Sequence, residues 1–246
     1  PVFNLHVYAV SGDPCSGPWV AGTNTDEHGN YFLTGVPEGS VYVQTCSSCN
    51  AENIPTHVNE FYNDVMECSQ ASPVSVITSQ VSENINFLLE TGETISGRIV
   101  EQGTANGISN IHVYVIGGKC NGVQYSQTNT DENGYFTLQA VPTEKEVYLY
   151  VCPECNKENF IGEWFDGGNG SRDCNDAAAI LVNAGSPVNL GEIGIEPGFT
   201  VSGTVAGDDL EGIDISVHDS VSGEWLGSIR INSDETDTPY TITGIP

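Results

Sequence analysis

Residues 129–142 read NTDENGYFTLQAVP, and residues 24–37 read NTDEHGNYFLTGVP. Each time an acidic turn containing glycine opens onto alternating apolar residues and stops at Val-Pro. This is the pattern of a turn feeding a half-buried strand. Working outward, NIHVYV at 110–115 matches NLHVYA at 4–9, and VYLYVCPECNKEN at 147–159 matches VYVQTCSSCNAEN at 41–53. EPGFTVSG at 196–203 likewise matches ETGETISG at 90–97. A fainter third copy follows as GIDISVHD at 212–219 and NSDETDTPYTITGIP at 232–246. Self-similarity at a fixed period means one unit repeated, and it sets the frame for everything else.

The unit reads as all-β. The runs IHVYVI, YFTLQAV and VYLYV are rich in β-branched and aromatic residues, and GG at 117–118, ENG at 132–134 and GGNG at 167–170 separate them. Short strands so spaced predict a two-sheet sandwich of about seven strands. The frame divides the chain into 1–92, 93–198 and 199–246. The first unit lacks its opening strand, the second is complete, and the third lacks its closing strands. Two arrangements satisfy this frame: a window on a longer covalent array, or outer units completed by strands of neighbouring copies. No Ser/Gly-rich or Pro-rich tether lies between units; NINFLLETGETISG at 84–97 runs from one copy directly into the next. A stiff rod is expected.

The charge narrows the partners. Of 246 residues, 33 are Asp or Glu and only 6 are Lys or Arg, a formal net charge of −27. Nucleic acid needs a basic footprint that this chain lacks, and anionic membrane surfaces repel it. Such a charge keeps a chain soluble but strains its compact state unless salt or divalent cations screen it, so a saline or calcium-containing exterior suits it. No apolar run approaches the roughly 20 residues of a membrane span.

The line ISGRIVE…GISNIHVYV…TNTDENGYFTLQAVP…VYLYV…EWFDG resembles the carboxypeptidase regulatory-like repeat, one of the transthyretin-like or Cna-B-like sandwiches of secreted and cell-surface proteins. Ser96-Gly97, Thr130-Asp131 with Gly134-Tyr135-Phe136, and Val141-Pro142 carry the likeness. It implies tandem transthyretin-like sandwiches joined end to end by very short linkers. Such sandwiches serve as stalks, adhesins, pilus subunits or enzyme appendages. The Lys–Asn isopeptide crosslink of many Cna-B domains needs a lysine on an early strand, where this chain has Arg98.

The eight cysteines repeat as 15, 46, 49, 68 and 120, 152, 155, 174. Haem attachment needs His after the second Cys of Cys-x-x-Cys, and Asn50 and Asn156 stand there. A thioredoxin-like centre wants the pair ahead of a helix, and a Cys₄ zinc site wants two converging knuckles. Both stay open beside disulfides, which the even count in an acidic all-β chain favours, with an oxidising exterior. The transthyretin-like order implies the pairing. One antiparallel sheet runs C-B-E-F, which brings Cys120 to Cys174 and leaves Cys152 with Cys155; in the first copy it gives Cys15–Cys68 and Cys46–Cys49.

The repeated acidic turn offers Asp26 and Glu27, Asp131 and Glu132, then Asp234 and Glu235 as oxygen ligands for Ca²⁺. The plainer alternative is a hairpin whose Asp caps the turn and whose Gly supplies positive φ. No other cofactor is called for. Trp164 and Phe61, with Trp19 and Trp225, could form a sugar-stacking surface, although one member of each adjacent aromatic pair must face the core. No G-x-S-x-G, H-E-x-x-H or phosphate loop is present, and no catalytic residue is assigned. The expected function is an extracellular, non-enzymatic structural or adhesive repeat protein. Its expected partners are neighbouring copies of itself and a glycan or matrix. The alternative is a carbohydrate- or peptide-binding accessory module of a larger secreted enzyme.

Overall fold

A computed structural model describes residues 1–49, 56–168, 170–208, 210–223, 225–232 and 236–246. Among them there is no α-helix; sixteen strands and three short 3₁₀ turns make up the regular structure. Residues 6–76 contribute β1 (His6–Ser11), β2 (Trp19–Asn24), β3 (Gly39–Cys46) and β4 (Val74–Val76). The middle of the chain forms β5 (Glu93–Glu101), β6 (His112–Ile116), β7 (Gln124–Asn129) and β8 (Tyr135–Val141). It continues as β9 (Lys145–Cys152), β10 (Glu163–Trp164), β11 (Ile180–Val182) and β12 (Val188–Ile195). The last strands are β13 (Phe199–Ala206), β14 (Ile213–His218), β15 (Trp225–Ile231) and β16 (Asp237–Ile245).

The middle strands form two facing sheets. One is ordered β10-β9-β6-β7, antiparallel throughout, with β11 beside the start of β9. The other is β12-β5-β8. Period-two alternation decides which side chains meet between them. Val113 and Val115 of β6 and Val147, Leu149 and Val151 of β9 point inward, against Ile95 and Ile99 of β5, Leu138 of β8 and Ile195 of β12, all fully buried. The intervening His112, Tyr114, Tyr148 and Tyr150 point outward. Arg98, which stands where an isopeptide lysine would, bridges to Glu192 at 2.7 Å and lies over the Tyr135 ring.

β12 pairs with β5 in parallel, Val188 beside Ile95 and Ile195 beside Glu101. The first and last strands of this unit therefore lie side by side and run the same way. The chain enters at one end and leaves at the other.

Among the described residues of the first unit there is one sheet, β2-β1-β3-β4. Val7, Ala9, Val41, Val43 and Val74 form its core. Residues 31–36 and 85–89 carry the sequences of β8 and β12 but form no strand. In the middle unit β5 lies between those two and satisfies the backbone groups of both. Among the described residues no strand takes the place of β5 beside 31–36 and 85–89. The place stays open as an apolar groove of about 500 Å³ lined by Tyr31, Leu33, Val41, Val74 and Ile85. The last strands make two ribbons, β13 with β16 and β14 with β15.

Candidate functional site

Four disulfides join the eight cysteines, and no free thiol remains for zinc or exchange. Cys120, in the loop after β6, meets Cys174 with Cα atoms 5.1 Å apart. Cys174 opens a 3₁₀ turn that Asp173 caps by accepting from the Asn175 N–H, and the Lys119 ammonium donates to the Asn175 carbonyl at 2.7 Å. Cys15 meets Cys68 at the same Cα separation, 5.1 Å. The short bridges Cys46–Cys49 and Cys152–Cys155 close the ends of β3 and β9.

The segments that end the first and middle copies are held by the same backbone hydrogen bonds. Val58 N–H donates to the Glu90 carbonyl at 3.0 Å, and Ile161 N–H to the Glu196 carbonyl at 2.9 Å. Gly92 N–H donates to the Thr56 carbonyl at 2.9 Å, and Gly198 N–H to the Asn159 carbonyl at 3.0 Å. Each of these glycines also packs against the unit that follows. A Cβ on Gly92 would lie 2.4 Å from the Ala140 backbone, and one on Gly198 would lie 2.5 Å from Gly244. Ala140 and Gly244 are equivalent positions of successive copies, so one steric rule governs both junctions. Asn159 adds a clamp: its carboxamide donates to the Gly198 carbonyl and accepts from the Gly244 N–H.

Beside each junction sits a buried carboxylate. Glu60 is 4% exposed and Glu163 is 8% exposed. They fill the same place in NEFY and GEWF, and Oε1 of Glu60 and Oε2 of Glu163 have no hydrogen-bond partner among the described residues. Gly170 leaves the space that Glu163 occupies, since a Cβ there would come within 2.5 Å of Oε2. Burial pushes the Glu163 carboxyl up to about 7, helped by the Glu196 and Asp166 charges and opposed by Arg172. Burial likewise pushes Glu60 up to about 7, with Asp64 and Glu90 adding to it and the Leu88 backbone N–H opposing.

The acidic turns spend their carboxylates on their own backbone. Asp26 accepts from the His28 and Asn30 N–H groups at 2.9 and 2.8 Å, which holds it below the usual carboxylate range. Asp131 accepts from Asn133 and Tyr135 in the same way, at 2.8 and 2.9 Å. Glu27 and Glu132 are exposed beside them, and Asp234 and Glu235 lie outside the described residues. Among the described residues no group of three or more His, Cys, Asp or Glu side chains converges to hold a metal ion.

The aromatic expectation needs correction. Trp164 is 9% exposed and Phe61 is 4% exposed, so neither presents a face to a ligand. Trp164 does stand on the outer face of its sheet, but Ala177 and Cys174 cover it and the Tyr150 ring packs against it at a tilt, centroids 4.9 Å apart. Alternation fixed its direction and could not foresee the bridged loop above it. The exposed indoles are Trp19 (59%) and Trp225 (57%), which hold matching register positions opposite Val10 and His218. The matched histidines His6 and His112 each share a hydrogen bond with an asparagine, Asn24 at 2.7 Å and Asn129 at 2.9 Å.

Among the described residues no helix is long and apolar enough to cross a membrane. No protein-family model and no curated protein matches the chain. Among solved structures, the Bacillus anthracis TIE protein overlaps 98% of this chain and 40% of its own, with 12% identity and a TM-score of 0.31. This chain thus spans well under half of that relative. A shaft pilin from Lactobacillus rhamnosus GG overlaps 80% of this chain and 85% of its own, with 9% identity and a TM-score of 0.31. A Streptococcal ancillary pilin overlaps 99% and 81%, with 10% identity and a TM-score of 0.32.

Proposed function

We propose that the chain is an extracellular structural and adhesive repeat protein: a stalk, surface fibre or filament subunit without enzymatic activity. In this reading 1–92, 93–198 and 199–246 are successive transthyretin-like sandwiches of the carboxypeptidase regulatory-like or Cna-B-like kind. The apolar groove of the first unit is where a β5-like strand would lie, supplied by the same array or by a neighbouring copy. The four disulfides and the net charge of −27 support an oxidising exterior.

The observation that carries this reading is the repeated junction. Two backbone hydrogen bonds hold the end of each unit back onto that unit and one glycine contact presses it against the next, and this arrangement recurs, which a flexible tether would not require. With parallel first and last strands, each unit advances the chain by about 30 Å, nine residues at roughly 3.3 Å each. Small-angle X-ray scattering tests it. A rod of this chain has a radius of gyration of about 27 Å, whereas a compact chain of this length has about 18 Å. A value near the compact one overturns the reading. Gly92→Val and Gly198→Val drive a side chain into the next unit's backbone, so each is expected to broaden the distance distribution while leaving the strand signal in circular dichroism unchanged.

A second reading, a carbohydrate-binding module, is favoured by one observation, the exposed Trp19 ledge.

A further inference from the structure

We infer that the cleft between the first two units is a binding site for a neutral oligosaccharide, with Trp19 as its stacking platform. Trp19 stands at the start of β2, and its indole N–H donates to the Ala21 carbonyl at 2.6 Å, which pins the ring. Gly22 makes the pose possible, since a Cβ there would lie 2.8 Å from Trp19 Cζ2. Tyr8 and His6 pack beside the indole with ring centroids 5.2 Å away. The result is an exposed aromatic ledge held in place by its neighbours, suited to the C–H face of a pyranose.

Opposite the ledge, across a cleft of about 420 Å³, stand Val123, Gln124 and Tyr125 of the second unit. The size is that of ordinary ligand sites. Asn59, Gln124 and Tyr125 continue it into a second hollow of about 510 Å³, lined by hydroxyls and amides such as Ser126, Thr137 and Gln139. The amides are half-committed. The Tyr8 hydroxyl donates to Gln44 Oε1 at 2.5 Å and Ser47 N–H donates to Asn59 Oδ1 at 2.6 Å, which frees both amino groups as donors. Gln124 donates to Gln127 at 2.7 Å, which frees its carbonyl as an acceptor. Paired donors and acceptors beside an aromatic face match the hydroxyls and the ring of a sugar.

Charge selects the class. In a chain with 33 carboxylates, neither hollow is lined by a single Asp, Glu, Lys, Arg or His. Lys145 and Glu67 stand just outside the lining: the Lys145 ammonium lies 6.0 Å from the Tyr125 ring centroid and 3.3 Å from Met66 Sδ, and the Glu67 charge acts on Tyr125. No charged side chain lines either hollow, and the surrounding negative field rejects uronic or sulfated glycans. The cleft around the equally exposed Trp225 differs, with Glu154, Lys157 and Arg172 in its lining. The inference extends the adhesive side of the proposed function and rests on the junction that fixes the first unit to the second.

The test titrates the full chain with cellotetraose, mannotetraose and chitotetraose, read by calorimetry and tryptophan fluorescence, with oligogalacturonate and a neutral Gly/Ser/Pro peptide as comparators. At least one neutral tetrasaccharide is expected to bind below 1 mM, and the oligogalacturonate and the peptide are not. Trp19→Ala, on the surface and safe for folding, weakens binding at least tenfold. Gln124→Ala weakens it several-fold from the other unit, and Trp225→Ala leaves it unchanged. Absence of binding to every neutral sugar overturns the inference, as do unaltered binding by Trp19→Ala and binding of the peptide alone. Scattering is blind to Trp19→Ala, so this inference and the rod can fail separately.

Discussion

Replacing Cys120 and Cys174 together with serine is expected to lower the unfolding free energy of the middle unit by about 4 kcal/mol. The bond closes a loop with a sequence separation of 54, and the entropy denied to the unfolded chain grows with the logarithm of that length. Cys15 and Cys68, at a separation of 53, give the same expectation for the first unit. Cys152–Cys155 spans a sequence separation of only 3, so Cys152→Ser with Cys155→Ser costs about 2 kcal/mol. The long bridge does more than close a loop. Cys174 is part of the cover over Trp164, so its loss exposes an indole on the outer face of the sheet. Urea unfolding followed by tryptophan fluorescence reads both effects: the midpoint falls, and native Trp164 emission moves toward that of an exposed ring. An unchanged midpoint would mean that the loop stays in place without its bond.

The second large effect runs against ordinary acid denaturation. A carboxyl whose folded pKa stands above its unfolded value binds its proton more tightly in the folded state. The stability this gives is complete below the unfolded value, near 4.5, and is lost as pH rises through the folded value of about 7. Glu60 and Glu163 both behave so, and the chain is expected to be more stable at pH 5 than at pH 8. Glu163 ionises against Glu196 and Asp166, with Arg172 in partial relief, and Glu60 ionises against Asp64 and Glu90. Each is expected to contribute about 1 kcal/mol after allowance for solvent screening, or roughly 2–4 °C in Tm. Asp26 and Asp173, held low by backbone N–H donors, act only in more acid solution, where they lose stability as pH falls. Thermal melts from pH 5 to 8 decide the matter. Glu60→Gln with Glu163→Gln should raise Tm at pH 8 and flatten the profile. A double variant with the slope of the parent would remove these two groups as its cause.

Much of the sandwich is legible in the alternation of IHVYVI, YFTLQAV and VYLYV, because side chains of one parity become Val113, Val115, Leu138 and Leu149 of the core. The same alternation misleads in the first unit. YFLTGV at 31–36 has the β8 pattern, but a pattern records which side chains face inward and is silent on whether a backbone partner exists. The parallel β5–β12 pair was equally hidden, since register between the ends of a unit leaves no local trace. At the junctions the signal was present as Thr-Gly and Pro-Gly in ETGETISG and EPGFTVSG. Its meaning depends on Ala140 and Gly244, which lie far along the chain. The burial of Glu60 and Glu163 is not legible, because a glutamate beside aromatics reads as the solvent side of a strand. Only their matched places in the two copies could have marked them.

The parallel pairing of β5 and β12 determines how the chain answers tension. In the proposed array, a pull along its length would draw β5 toward the first unit and β12 toward the third. The two strands must slide past each other lengthwise, so their hydrogen bonds carry the load together and do not peel one rung at a time, as in a hairpin drawn from its open ends. Should that shear joint give way, the Cys120–Cys174 bond still withholds its enclosed residues from stretching, about 180 Å of contour at full extension. Under force a unit would lengthen by its unbridged flanks alone, and then stop.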